Sequence, residues 1–241
     1  MKSQERHQLK QNEFAATVGQ VMQTVREDRQ RVIVIALVAV HVVGAVGAFF
    51  MWRQKVRNDA GAQFAAAMAV SESAIAPAPT VPGATQAAGT FPNVKARSEA
   101  ALSAFQKVAQ AYPSSPDGLS AAYQAAGALF ALGRLPEAEK AYTEVITRAG
   151  AQSLFGAAAR LGLAETLAAQ AQYDRAIKEY TDLAAQRDGL LPVDGVLVGL
   201  ARTYAKAGKT ADARATFKRV VDEFPTSSYA NEARTQMALL G

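Results

Sequence analysis

The sequence predicts an all-α protein: a single transmembrane helix followed by a small α-solenoid of antiparallel helix pairs. Three observations carry this expectation. Residues 32–52 (VIVIALVAVHVVGAVGAFFMW) hold no formal charge. From Lys95 onward the chain repeats itself with a period of 37 or 38 residues. After residue 52 the chain is rich in alanine, poor in aromatic residues and has few β-branched runs, which favours helices over strands.

The arm, residues 1–31, places Leu9, Phe14, Val18, Val21, Met22 and Val25 at spacings near three and four. That is the pattern of an amphipathic helix lying at a lipid surface, with Arg26, Arg29 and Arg31 at headgroup level. The segment 32–52 follows. At 1.5 Å per residue it makes a helix of about 31 Å, the thickness of a bilayer's hydrocarbon core. It is too long for the apolar region of a secretory signal, no cleavage site follows it, and no cysteine is present for lipidation, so it reads as an uncleaved signal anchor.

Cations flank both ends of this segment, but beyond Arg57 none appears until Lys95, whereas the arm also holds Lys2, Arg6 and Lys10. The positive-inside rule puts the N-terminus in the cytoplasm and the C-terminal domain outside. Within the span His41 is a costly polar group, and Gly44 and Ala48 are spaced for close helix contact. His41, Gly44 and Ala48 are the candidate membrane helix contact.

Residues 53–75 predict a helix after the membrane. Residues 76–94 contain Pro77, Pro79, Pro82, Gly83 and Gly89 and predict an extended, flexible linker. The repeat then runs over residues 95–241. Ala101, Ala138, Ala176 and Ala213 are each followed four residues later by Phe105, Tyr142, Tyr180 or Phe217. Ala126, Ala164 and Ala201 stand at a constant offset upstream of the last three. Small residues let paired helices approach, the aromatic fills the gap to the next unit, and proline closes the second helix, as at Pro113 and Pro225. The first phrase lacks a partner helix. Either residues 54–75 fold back to supply it, which is favoured, or the solenoid opens on a lone helix.

These positions resemble the tetratricopeptide repeat family. The unit from Asp194 to Pro225 matches that family's two small residues, aromatic and proline, at Ala201, Ala213, Phe217 and Pro225. Gly150 and Asp188 stand where the middle units would carry proline. The closing segment from Phe224 resembles the family's capping helix, with Ser227 or Ser228 near its start. In layout the chain is similar to the ancillary inner-membrane subunit of the bacterial Sec translocon, a family linked to periplasmic chaperones.

Chemistry is scarce. The net charge of +5 divides as +2 in residues 1–31, +1 in 53–94 and +2 in 95–241, with no basic stripe, which argues against nucleic acid. The absence of cysteine excludes disulfides and thiolate metal sites. The histidines are His7 and His41, neither in the repeat region, so no cofactor, metal or catalytic residue is expected and the protein does not read as an enzyme. Gly208-Lys209-Thr210 reads as an inter-helix turn and not as a phosphate loop.

What remains is a binding surface. The resemblance implies a concave face carrying Tyr123, Gly127 and Phe130, then Leu161, Glu165 and Ala168, then Val198, Arg202 and Lys206. Its expected ligands are proteins or extended peptides. The function expected is a membrane-anchored, chaperone-like interaction scaffold on the periplasmic side, at the Sec translocon. The alternative is an envelope-assembly or division factor that works through its span and solenoid oligomerisation, without client binding.

Overall fold

A computed structural model describes residues 29–77, 85–186 and 190–241. The amphipathic arm expected over residues 1–31 lies, up to residue 28, outside the described residues. The chain divides into two compact units, Met1–Val56 and Arg57–Gly241.

Among the described residues the first unit is helical. Helix α1 runs without interruption over Arg29–Ser71, so no break separates the apolar segment from the helix expected after it. It is long and apolar enough to cross a membrane. Ile33, Val34, Ile35, Leu37, Val38, Phe49, Phe50 and Trp52 are all exposed on it. A soluble core helix would bury such residues, and burying one is worth about 1.5–3 kcal/mol.

The second unit is the solenoid. It contains the rest of α1, then α2 (Val94–Ala111), α3 (Pro116–Ala131), α4 (Leu135–Ala149), α5 (Leu154–Ala169), α6 (Tyr173–Ala184), α7 (Val193–Lys206), α8 (Thr210–Glu223) and α9 (Ala230–Leu239). From α2 onward each helix packs on the next along the chain, and α3, α5 and α7 also touch in series. The repeated alanines Ala126, Ala138, Ala164, Ala176, Ala201 and Ala213 have no exposed surface, so a larger side chain at any of them would force helices apart.

The missing partner of α2 comes from α1. The Phe64 ring meets Phe105 at 6.0 Å, Gln63 Nε2 donates to the Tyr112 hydroxyl at 2.7 Å, and Ala67 is buried in the same cluster as Ala101 and Leu102. Residues 57–71 thus act as the first helix of the first pair, antiparallel to α2.

The linker differs from expectation. Ala74–Ile75 (β1) and Thr90–Phe91 (β2) form a short parallel pair, Ala74 opposite Thr90 and Ile75 opposite Phe91. Gln86 Nε2 donates to both the Ala76 carbonyl (2.8 Å) and Thr90 Oγ1 (2.7 Å). The described residues on either side of the Pro-rich stretch are therefore clasped together. Prolines forbid a helix there, but they do not prevent the flanking residues from pairing. Residues 78–84 lie outside the described residues.

The turns inside the units share one geometry. Gly133, Ala171 and Gly208 all have positive φ (71°, 59° and 74°). In each, the next residue's N–H bonds back to a carbonyl five residues earlier: Arg134 to Leu129, Gln172 to Leu167, Lys209 to Tyr204. This is a Schellman closure, which favours glycine. Gly208-Lys209-Thr210 is thus a helix–helix turn. The cap also differs in detail. Tyr229 and not a serine begins α9, with no side-chain cap, while Ser227 Oγ donates to Asp194 Oδ2 at 2.6 Å.

Adjacent units meet through a ring against a glycine. A methyl group added at Gly162 would lie 2.4 Å from the Tyr142 ring, and one at Gly199 would lie 2.6 Å from Tyr180. Each tyrosine on a second helix fills the space that a Cβ would take on the following first helix.

Two stability predictions follow for the full chain in detergent, measured by urea unfolding of the second unit. Ala171→Gly raises stability by about 1 kcal/mol by relieving the left-handed backbone, and no gain would contradict the turn assignment. Gly199→Ala lowers stability by about 1–3 kcal/mol through overpacking against Tyr180.

Candidate functional site

The first helices α3, α5 and α7 lie side by side, so residues at matching turns of each fall on one face. A groove of about 330 Å³ opens there. Phe130 of α3, Leu161, Glu165 and Ala168 of α5, and Val198, Arg202 and Lys206 of α7 line it. Tyr180, Gly199 and Tyr229 also border it. The sequence placed the first seven on this face by their offsets, and did not name the last three.

The remaining two candidates, Tyr123 and Gly127, do not line this groove but sit beside it. The Tyr123 ring packs edge-on against Tyr142 at 6.0 Å. Gly127 faces the Tyr142 hydroxyl, 3.7 Å from where its Cβ would be. Val198 is 1% exposed and belongs to the core as well as the groove wall, while Leu161 is half-buried at the core's edge.

Charge is distributed unequally. Arg202 pairs with Glu232 of α9, so the cationic end expected from Arg202 and Lys206 reduces to Lys206. Glu165 keeps an exposed edge, yet crowding by the groove walls raises its carboxyl above the usual range, with Arg202's charge opposing. Burial, with a smaller contribution from Glu165's charge, also raises the phenols of Tyr123, Tyr142 and Tyr180. All three phenols thus stay neutral at physiological pH. Among the described residues no group of histidine, aspartate and glutamate is arranged to hold a metal ion.

Tyr142 and Tyr180 are the site residues that sequence reasoning missed. Their place four residues after an alanine marks them as packing aromatics. The available signal was the glycine opposite each one, Gly162 and Gly199, which lets the ring lie flat beneath the groove.

A larger cleft, about 540 Å³, lies between α2 and α4 over Ala122, Ala125 and Leu129 of α3. Its one cation, Arg148, is engaged by the Pro113 carbonyl at 2.6 Å and by Glu144 at 3.5 Å. In the groove with Glu165, by contrast, no ion pair engages Glu165 or Lys206 among the described residues.

His41 lies in the other unit. Its Nδ1 donates to the Leu37 carbonyl at 2.7 Å, and a methyl group at Gly44 would meet nothing within 4 Å.

A pH prediction comes from Glu165. A carboxyl raised in the folded state is better tolerated protonated, so its contribution falls as pH rises from the ordinary value of about 4.3 through the raised one. Glu165→Gln should therefore melt higher than wild type at pH 8, with the gap closing near pH 4. Equal differences at both pH values would contradict the crowding.

Residues 27–189 match the family described as tetratricopeptide repeat-like domain, and residues 196–227 match the tetratricopeptide repeat itself. Among solved structures, the chain is similar to the nearly identical TPR-like repeats of a kinesin light chain, so described, from Podosopora anserina. There it has 17% identity and a TM-score of 0.53, covering 60% of this chain and 77% of that one. A variant of that protein gives 17% identity and a TM-score of 0.52 over the same shares. At that identity the likeness concerns the fold. No curated protein matches the chain. With the family match extending over more than half of its length, the chain belongs to the tetratricopeptide repeat-like domain family.

Proposed function

We propose that the protein is a membrane-anchored interaction scaffold that binds extended peptide segments of other proteins in the groove of α3, α5 and α7. The observation that carries this reading is the groove itself, with an apolar floor of Phe130, Leu161 and Val198 and polar groups at Glu165, Arg202 and Lys206. An extended strand offers side chains to such a floor and backbone groups to such a rim.

The segment 32–52 is the anchor. Its exposed Val, Ile, Leu and Phe side chains support a lipid environment. The cation distribution supports a cytoplasmic N-terminus and a periplasmic solenoid on a bacterial inner membrane. The layout supports work beside the Sec translocon, with periplasmic chaperones as partners and secreted or envelope proteins as clients.

A second reading rests on His41. With Nδ1 donating to the Leu37 carbonyl, Nε2 is left as the acceptor of the neutral ring, and Gly44 and Ala48 follow at helical spacing. A partner helix bearing a donor would dock there, and the span would then recruit the complex by itself.

Two tests separate these roles. In the full chain reconstituted in lipid nanodiscs, Phe130→Ala with Leu161→Ala should weaken binding of unfolded fluorescent peptides about tenfold or more, given roughly 1.5 kcal/mol or more per apolar anchor. Retained peptide binding would sink the groove reading. His41→Leu with Gly44→Leu should leave peptide binding intact and, on the second reading alone, abolish co-purification of a membrane partner. Orientation is read by a reporter fused after Gly241, which should be active only outside the cytoplasm.

A further inference from the structure

Glu165 is an anion without a counter-ion. Among the described residues it makes no ion pair and no hydrogen bond, although Arg202 lies near enough for its charge to be felt. Arg202 does not supply the missing contact, because its guanidinium is held by Glu232 on the capping helix. Lys206, at the same wall, forms no ion pair with Glu165 among the described residues.

The groups around Glu165 are neutral phenols, each able both to donate and to accept. Tyr123, Tyr142 and Tyr180 come from α3, α4 and α6, and all three feel the Glu165 charge. None of their hydroxyls has a hydrogen-bond partner among the described residues, and none is sealed from solvent. The Tyr180 ring borders the groove directly, and the Tyr142 hydroxyl lies 3.7 Å from where a Cβ at Gly127 would be, beside the groove. A crowded carboxylate beside unpartnered phenol oxygens and the electron-rich faces of aromatic rings is matched by a cation with several donors. Nearby, Phe130, Leu161 and Ala168 offer an apolar surface for a hydrocarbon stem.

We propose that the groove captures a basic side chain, lysine or arginine, of its bound peptide, with the Glu165 carboxylate as counter-ion and Tyr180 at the wall beside it. This rests on the reading of the groove as a peptide site and adds the chemistry of what enters it. Charge complementarity makes the selection: an acidic side chain at this point would place two anions together, and a neutral one would leave Glu165 crowded and unpaired.

The test uses the full chain in nanodiscs and fluorescence anisotropy. The probes are nine-residue apolar host peptides, blocked at both ends, with lysine, arginine, norleucine or glutamate at the centre. Wild type should bind the lysine and arginine peptides about tenfold more tightly than the norleucine peptide, as one charge-assisted contact implies. The glutamate peptide should bind most weakly. In Glu165→Gln the lysine-to-norleucine ratio should fall to near one, and in Glu165→Lys the preference should pass to the glutamate peptide. Circular dichroism establishes that each variant is folded. Equal binding of the lysine and norleucine peptides by wild type would overturn the inference while leaving the groove as a peptide site. Failure of wild type to bind any of the four would overturn both.

Discussion

The solenoid depends on a ring lying where a side chain is absent. Tyr142 occupies the space a Cβ would fill at Gly162, and Tyr180 does the same at Gly199. In an array whose units touch only their neighbours, each such junction carries the coupling from one pair to the next. The invariant alanines set the distance within a pair, and the tyrosine–glycine contact sets the distance between pairs. Within the first pair, where α1 supplies the first helix, two phenylalanines, Phe64 and Phe105, meet. Where the array ends, Phe217 packs into the cluster that includes Ala233 and Leu240 of the capping segment.

The same contact builds the site. A ring that passes beneath a glycine reaches through the first helix toward the concave face, carrying its hydroxyl with it. Packing and recognition therefore use the same side chains, and this explains why the groove's polar lining comes from both helices of a unit. Glu165 sits among these hydroxyls while the nearest guanidinium is drawn to the capping helix. The groove thereby presents Glu165 as well as Lys206, where the sequence read alone suggests a cationic end of Arg202 and Lys206.

Much of the fold was legible because it is periodic. Ala126, Ala164 and Ala201 and their partners Ala138, Ala176 and Ala213 announce helix pairs by spacing, and offsets along the first helices placed Phe130, Leu161, Glu165 and Arg202 on one face. Other features depend on contacts that spacing does not encode. Ala171 takes a left-handed turn that composition assigns to glycine, because the closure of its own helix, Gln172 N–H to the Leu167 carbonyl, requires it. The clasp between Ala74–Ile75 and Thr90–Phe91 joins residues across a proline-rich stretch that reads as open chain. The Arg202–Glu232 pair links α7 to the cap across 30 residues, and no repeat rule anticipates it. Tyr142 and Tyr180 were read as fillers because the glycines opposite them belong to the next unit.

The central claim is that the ring–glycine junction transmits stability between units. Hydrogen exchange of the full chain, read by mass spectrometry, compares wild type with Gly162→Ala. The added methyl should speed exchange in α4 and α5 together, on both sides of the junction, while α8 and α9 keep wild-type rates. Faster exchange confined to α5, or a uniform change across every helix, would contradict it.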